Sequence, residues 1–169
     1  MVKKGFLFLL LFWVLIVAFM PKEEIYFSLE RELAKQGVEI NEGEIKEHVF
    51  GLTLQDAVVY VKGIKVAKVE KIDLVTLLFY TKVTVTGVQI SESLSNMVPE
   101  RAETVVLTHT VLDPFNAKIF AVGSFGTIEG VISLKSRMIH IDFTEVKKIG
   151  TIKSSLQKGE KGWYYETAF

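Results

Sequence analysis

Histidine, carboxylate and serine side chains are the groups of this chain that could perform acid–base or nucleophilic chemistry or bind a metal ion. The three histidines, His48, His109 and His140, are far apart in the sequence, and no second ligand accompanies any of them. His140 alternates with Ile139 and Ile141, so in a strand its side chain points away from the face that these isoleucines bury. We therefore expect solvated or hydrogen-bonded histidines and no metal site.

The acidic residues also lack the context of a catalytic site. Glu42, Glu44 and Glu47 form a cluster, with Asp56 later in the chain. Paired carboxylates perform acid–base chemistry only in a cleft that shifts a pKa, whereas acidic residues around turns are usually solvated. The serines stand in no nucleophile-elbow context. The sequence predicts no catalytic residues, and hence a protein that is not an enzyme.

The glycine-rich segment 123–130 (GSFGTIEG) could in principle cradle a phosphate, but no lysine follows it and it opens a strand. A phosphate-binding loop requires a helix N-terminus at that point. We expect a tight turn and a bulge instead, and no cofactor.

Composition excludes further classes. The 169 residues include 20 basic and 20 acidic ones, so the chain has no net charge with which to attract nucleic acid. It contains no cysteine, which excludes disulfides, thiol nucleophiles and cysteine metal sites. The fold must therefore depend on an apolar core, a partner or lipid.

The apolar run Gly5–Met20 (GFLFLLLFWVLIVAFM) follows Lys3 and Lys4 and predicts a membrane segment. As a helix it spans roughly 24 Å, close to the ~30 Å hydrocarbon core of a bilayer, and flanking residues cover the difference. A cleaved signal peptide is the alternative, but bulky residues occupy the positions where a signal peptidase requires small ones. We predict an uncleaved signal anchor.

Charges on either side of the anchor predict its orientation. Lys3 and Lys4 precede the run, whereas Lys22–Glu24 after it is net acidic. The positive-inside rule leaves the N-terminus in the cytoplasm and places everything from Pro21 onward outside.

Residues Pro21–Gln36 predict a short amphipathic helix that Gly37 terminates. Ile25, Leu29 and Leu33 recur every four residues on one face. We expect this face to pack on the following domain; a helix lying in the membrane interface is the alternative.

From Val38 onward apolar and polar residues alternate and β-branched residues are dense, which is typical of strands. Lys135–Arg137 predicts a hairpin turn, and the alternation changes phase at Gly87, which predicts a bulge or a kinked strand. Four segments depart from the alternation. The expectations for them are a helical turn, preferred over a buried strand, at Leu74–Tyr80, a loop or short helix at Ser91–Arg101, a further helix within Glu145–Gln157, and a final strand or core anchor at Trp163–Tyr165.

The predicted fold class is mostly β, in three parts. These are a cytoplasmic stub and transmembrane signal anchor (1–20), an amphipathic connecting helix (21–37) and an extracytoplasmic, mainly antiparallel β-sheet domain (38–169). Both an open sheet with an exposed apolar face and a sandwich closed on itself are compatible with the pattern.

The order of anchor, short helix and alternating strands, with residues 51–59 (GLTLQDAVV), resembles the G-x-L-x-L-x-D-V opening strand of AsmA-like proteins. Residues 69–90 look like that family's leucine-rich turn between two strands, and residues 126–134 (GTIEGVISL) are similar to its G-x-I-x-G-x-I-x-L strand. Among these proteins, the chain is most similar to the short type II secretion system protein N (GspN-like) family. The resemblance implies a bacterial inner-membrane protein with a curved periplasmic sheet whose concave apolar face contacts lipid.

We accordingly expect a single-pass accessory protein of envelope biogenesis or type II secretion that binds phospholipid, lipopolysaccharide or an envelope partner. The expected lipid or partner face comprises Leu52, Leu54, Val83, Val85, Ile132 and Ile141. One alternative is a purely structural secretion scaffold that works by strand addition at a sheet edge. The other is an LptC-like lipopolysaccharide transport relay, which also has one anchor and a periplasmic β domain.

Overall fold

A computed structural model of the chain describes residues 2–77, 79–95, 97–150, 152–160 and 162–169. Two helices, α1 (Val2–Phe19) and α2 (Lys22–Lys35), precede the strands. The strands are β1 (Val38–Asn41), β2 (Glu44–His48), β3 (Gly51–Val61), β4 (Ile64–Thr76), β5 (Tyr80–Ile90), β6 (Arg101–Thr110), β7 (Asp113–Gly123), β8 (Gly126–Ser133), β9 (Met138–Val146), β10 (Gln157–Gly159) and β11 (Gly162–Ala168).

Helix α1 is the apolar run, and most of its large side chains are exposed. No single helix of the described residues is both long and apolar enough to cross a bilayer. Lys3–Phe19 and Lys22–Lys35 meet that criterion only together, as a pair bent by 56°.

The described residues form one antiparallel sheet of eleven strands, in the order β1-β3-β4-β5-β6-β7-β8-β9-β11-β10. Strand β2 pairs with the first half of β3 and β1 with the second half, so the two continue one another along one edge. The predicted antiparallel β domain is confirmed. The sandwich alternative is wrong, because the strands form a single layer.

Two predicted helical segments are strands or turns. The helical turn expected at Leu74–Tyr80 is wrong, because β4 runs to Thr76 and β5 begins at Tyr80, and pairing satisfies the backbone of both strands; Leu78 lies outside the described residues. The helix expected within Glu145–Gln157 is also wrong. Strand β9 continues to Val146 and only Lys153–Ser155 forms a 3₁₀ turn; Thr151 lies outside the described residues.

Other local predictions are confirmed. Lys135–Arg137 joins β8 and β9 as a hairpin, and the segment Trp163–Tyr165 lies in the final strand. Gly87 has a φ of +68°, while the pairing of β5 with β4 keeps one register on both sides of it, so the strand is kinked rather than bulged. The 3₁₀ turn Glu92–Leu94 lies within the predicted loop or short helix.

Helix α2 packs on the β domain as predicted, but not through the predicted apolar stripe. Ile25 and Leu29 are exposed, whereas Tyr26 is buried against Leu52 and Leu54 of β3. The tyrosine ring covers more apolar surface than either aliphatic side chain. Its hydroxyl also finds an acceptor, since it donates to Glu42 Oε2 at 3.1 Å.

Candidate functional site

The candidate site is one face of the sheet, which the strand registers assemble from eight strands. Residues that pair directly opposite one another in a ladder share a face. Two adjacent rows that cross the sheet are almost entirely apolar, and we call them the apolar face. The rows are Leu54, Ile72, Val85, Val105, Ala121, Ile128 and Phe143, and Leu52, Leu74, Val83, Leu107, Ile119, Gly130, Ile141 and Tyr165.

The registers bring all six residues predicted for a lipid or partner face onto this one surface. Five of them belong to the two rows. The sixth, Ile132, points the same way because it lies two residues beyond Gly130 on β8, where it pairs with Ile139. The six side chains nevertheless differ in accessibility, because two segments of the chain cover parts of the face.

The first cover is helix α2. Tyr26 packs over Leu52 and Leu54, which are only 1% and 3% exposed. These two of the six predicted residues are therefore sealed in a small core and are not open to a ligand. The other four, Val83, Val85, Ile132 and Ile141, are partly exposed.

The second cover is the irregular segment after β9, described at residues 147–150 and 152–156. Its Ile149 is buried in a cluster with Phe143 of β9 and Phe125, the residue at the β7–β8 turn. Backbone hydrogen bonds hold the start of the segment to that turn, from the Lys147 N–H to the Phe125 carbonyl (2.9 Å) and from the Lys148 N–H to the Ser124 carbonyl (3.2 Å).

The centre of the apolar face lies between the two covers. Within the part of the chain that the structure describes, neither buried cluster includes Val83, Val85, Leu107 or Ile119, and all four are partly exposed. Since they stand on the neighbouring strands β5, β6 and β7, they form a continuous apolar patch. We call it the uncovered centre.

A cavity of about 410 Å³ adjoins the second cover. Ile128, Ile141 and Tyr165 of the apolar face contribute to its lining. The loop between β5 and β6 and the second cover supply further apolar walls, including Val98 and Leu156. Its size lies within the usual range for small-molecule sites, and its lining suits an apolar ligand group.

The opposite face of the sheet carries polar side chains on β3 and β4, behind the leucines that the first cover buries. Thr53 donates a hydrogen bond to Asp73 Oδ1 at 2.7 Å, and Lys71 pairs with Asp73 Oδ2 at 2.8 Å. Partial burial raises the pKa of Asp73, but the hydrogen bonds from Lys71 and Thr53 outweigh that effect and bring the pKa below its ordinary value. The network stabilises a carboxylate that joins β3 to β4.

The three histidines lie on different strands and have different polar neighbours. His48 lies 3.3 Å from the Thr53 hydroxyl, and His109 lies 3.1 Å from the carbonyl oxygen of Pro114. His140 lies on the face opposite Ile139 and Ile141, in reach of Asp142 and Glu166. No group of three or more histidine and carboxylate side chains among the described residues is arranged to hold a metal ion.

Sequence reasoning missed the residues that decide which part of the apolar face is open. Tyr26, Phe125 and Ile149 close its two sides, and none was predicted to do so. Phe125 lies between Ser124 and Gly126 in a turn, where an aromatic residue is a signal for a long-range contact. The position of Ile149 carries no such signal, because Phe125 and Ala121 of its cluster lie 24 and 28 residues earlier in the chain.

No family model matches the chain, and neither a curated protein nor a solved structure shows significant similarity to it. The likeness to AsmA-like proteins therefore rests on the motifs at residues 51–59, 69–90 and 126–134 and on the order of the elements.

Proposed function

We propose that the chain is a single-pass protein of the bacterial inner membrane whose periplasmic sheet binds lipid on its apolar face. In this proposal it is an AsmA-like, GspN-like accessory of envelope biogenesis or type II secretion. The observation that carries it is the uncovered centre, where Val83, Val85, Leu107 and Ile119 expose an apolar patch between two covers.

The surface of α1 supports the membrane part of the proposal. Successive residues of a helix are about 100° apart, so Phe6, Leu7, Phe8 and Leu9 point in four directions. All four are exposed. A helix that exposes apolar side chains on every side is unfavourable in water and favourable in hydrocarbon. Lys3 and Lys4 at its start favour an N-terminus in the cytoplasm.

The route from the uncovered centre to the cavity supports the lipid part. Gly130 stands in the second row between Ile119 and Ile141, so the row has no side chain at that point. An acyl chain that lies on the uncovered centre can cross this gap and end in the cavity beside Tyr165. A phospholipid or lipopolysaccharide acyl chain has the required length and apolar character.

A scaffold that works by strand addition is the second candidate, and one edge of the sheet favours it. Strand β10 pairs only with Gly162–Tyr164, so residues 165–168 of β11 have no outer neighbour among the described strands. An extended segment of an envelope partner could pair there. The other edge is less suited, because charged residues such as Glu39 and Lys46 protect it.

Site-specific photocrosslinking tests the lipid proposal. A benzophenone amino acid is placed at Val85, in the uncovered centre, or at the neighbouring Thr84, on the opposite face of the same strand. The full chain is produced in the inner membrane of a Gram-negative host, irradiated and analysed by mass spectrometry. Protease resistance of both variants checks that they fold.

We expect a lipid adduct at position 85 and none at position 84. Equal lipid yields at the two positions would show unspecific contact and refute a lipid-binding face. A protein adduct at position 85 would replace lipid by an envelope partner as the ligand of this face.

A further inference from the structure

The reversals at one end of the sheet carry a row of exposed apolar side chains. This end holds the β2–β3, β4–β5, β6–β7 and β8–β9 connections. The side chains involved are 44% to 98% exposed, with Leu112 at the upper limit. We call them the tip row: Val49, Phe50, Phe79, Val111, Leu112, Phe115 and Leu134.

Backbone hydrogen bonds make the tip row continuous. Phe50 accepts from the Thr76 N–H at 2.8 Å and Phe79 accepts from the Val111 N–H at 3.0 Å. Phe115 accepts from the Leu134 N–H at 2.8 Å. The exposed side chains thus stand on one edge that runs from β3 to β8, and are not scattered over the surface. A soluble protein rarely exposes such a contiguous apolar surface.

The charges at this end suit an anionic membrane surface. In the segments 49–50, 77–79, 111–115 and 134–137, which carry the tip row, the charged residues are Asp113, Lys135 and Arg137, so basic residues outnumber acidic ones. The reversals at the opposite end of the sheet carry charges of both signs, among them Glu92, Lys148 and Glu160. Apolar side chains bordered by basic ones are the composition that binds the boundary between headgroups and acyl chains.

The tip row also lies beside α1. A cavity of about 840 Å³ is bounded by Ala18 and Lys22, at the junction of the two helices, and by Val49 and Phe50. Phe79 shares a second cavity, of about 460 Å³, with aromatic and aliphatic side chains of α1. The helix that the proposed function places in the bilayer therefore adjoins this end of the sheet, at its C-terminal end near Phe50 and along its middle turns near Phe79.

We propose that the tip row docks on the phospholipid bilayer that α1 enters, with the apolar side chains of the hairpins inserted at the level of the headgroups. This rests on the proposed function for the orientation of α1. Docking of this kind sets the strands at a steep angle to the membrane. It also brings the end of the uncovered centre to the bilayer, since Val83 and Leu107 are only three and four residues from the tips at Tyr80 and Val111.

Spin labels on single cysteines test the proposal, and the chain offers a clean background because it contains no cysteine. Leu112→Cys reports on the tip row, and Ser93→Cys reports on the opposite end of the sheet. Phe8→Cys reports separately on whether α1 enters the bilayer. Each labelled full chain is reconstituted in vesicles of phosphatidylethanolamine and phosphatidylglycerol. Power saturation then gives its accessibility to oxygen, which partitions into lipid, and to a water-soluble nickel chelate.

We expect the ratio of oxygen to nickel accessibility at position 112 to exceed that at position 93 several-fold. Equal, water-like ratios at both positions would overturn the tip-row proposal, and an immersed label at position 8 would then leave the anchor standing. A water-like label at position 8 would refute the anchor itself. Shielding of position 112 from both reagents would reveal a protein cover and also overturn the proposal. Val111→Cys provides a second site on the same tip.

Discussion

The two covers close the same face of the sheet by different means. The first cover is a regular helix that seals Leu52 and Leu54 with the single ring of Tyr26. Polar contacts fix it to the sheet edge, from the Tyr26 hydroxyl to Glu42 and from the buried Lys22 Nζ to Glu47 Oε1 at 3.3 Å. Leu52 and Leu54 are buried under this cover, while a cavity of about 840 Å³ lies beside it at Lys22, Glu47 and Leu52.

In its described residues, 147–150 and 152–156, the second cover has no regular structure beyond a three-residue turn. It is fixed by backbone hydrogen bonds to Ser124 and Phe125 and by the burial of Ile149. It leaves the cavity of about 410 Å³ beside it.

The two covers also differ in the cavity beside them. The cavity at the first cover includes Lys22, Glu47 and Asp73, whereas mostly apolar side chains line the cavity at the second. We therefore expect an acyl chain to bind at the second cover, and the burial of Leu52 and Leu54 under the first to contribute to stability.

The largest loss of stability is expected for a substitution at Gly126, next to the turn that holds the second cover. A Cβ at Gly126 would overlap the carbonyl oxygen of Glu145, and Gly126 has a φ of +107°. We expect Gly126→Ala to lower the free energy of unfolding by about 4 kcal/mol. Thermal unfolding of the full chain in detergent, followed by the fluorescence of Trp163 in a Trp13→Phe background, measures it. In the matched variant Gly150→Ala nothing lies within 4 Å of the added Cβ, so a similar loss there would contradict the explanation.

A somewhat smaller loss is expected beneath the first cover. Leu52→Ala leaves a cavity under Tyr26 and should lower the free energy of unfolding by about 3 kcal/mol. Val85→Ala, in the uncovered centre, should lower it by about 1 kcal/mol or less, because its side chain is already partly hydrated. Denaturant titration of both variants measures the difference. If both variants lost the same free energy of unfolding, Val85 would be as buried as Leu52, and the uncovered centre would be covered in solution.

The hydrogen bond between Tyr26 and Glu42, which attaches the first cover, contributes less to the free energy of unfolding. Tyr26→Phe keeps the ring and removes only the hydrogen bond to Glu42, so we expect a loss of about 1 kcal/mol. Tyr26→Ala removes the ring as well and should approach the effect of Leu52→Ala. If the phenylalanine variant were as unstable as the alanine variant, the hydroxyl rather than the ring would hold the helix.

The smallest effect is expected away from both covers, at His140. The hydrogen bond to Glu166 raises the pKa of His140, and Asp142 adds to this, while partial burial opposes it. The stability that this provides is complete below the unfolded pKa near ~6.5 and is lost as the pH rises through the higher folded value. Because the side chain is 43% exposed, the contribution stays under ~1 kcal/mol. We therefore expect His140→Gln to lower the melting temperature at about pH 5 more than at about pH 9.

The alternation of apolar and polar residues predicted the strands that show it, and it was of little help for strands without it. The hairpin at Lys135–Arg137 and the kink at Gly87 follow from residues adjacent in the chain. Strand β2 is only weakly indicated by its sequence, EIKEH, because most of its residues are charged and exposed at a sheet edge. Strand β7 is also weakly indicated, because Pro114 and Asn116 interrupt its first half and apolar residues occupy both faces of its second half.

The candidate site shows the same limit. Alternation placed Val83, Val85, Ile132 and Ile141 on one face, because residues two apart in a strand share a face. It could not show that Leu52 and Leu54 lie under a helix. The contact depends on Tyr26, whose partners lie 26 and 28 residues further along the chain. The spacing of apolar residues within α2 does not predict a contact with residues that far away.

The strand order has a consequence for how the protein forms. From β3 to β9 every strand pairs with its neighbour in the chain, so each hairpin closes over a short loop. Short loops lose little chain entropy on closure, and folds rich in local contacts assemble quickly. The sheet can thus grow by one strand at a time during synthesis of the polypeptide, without waiting for a distant segment. Strands β1 and β10 depart from this order, because β1 pairs with β3 rather than β2 and β10 joins the sheet through β11.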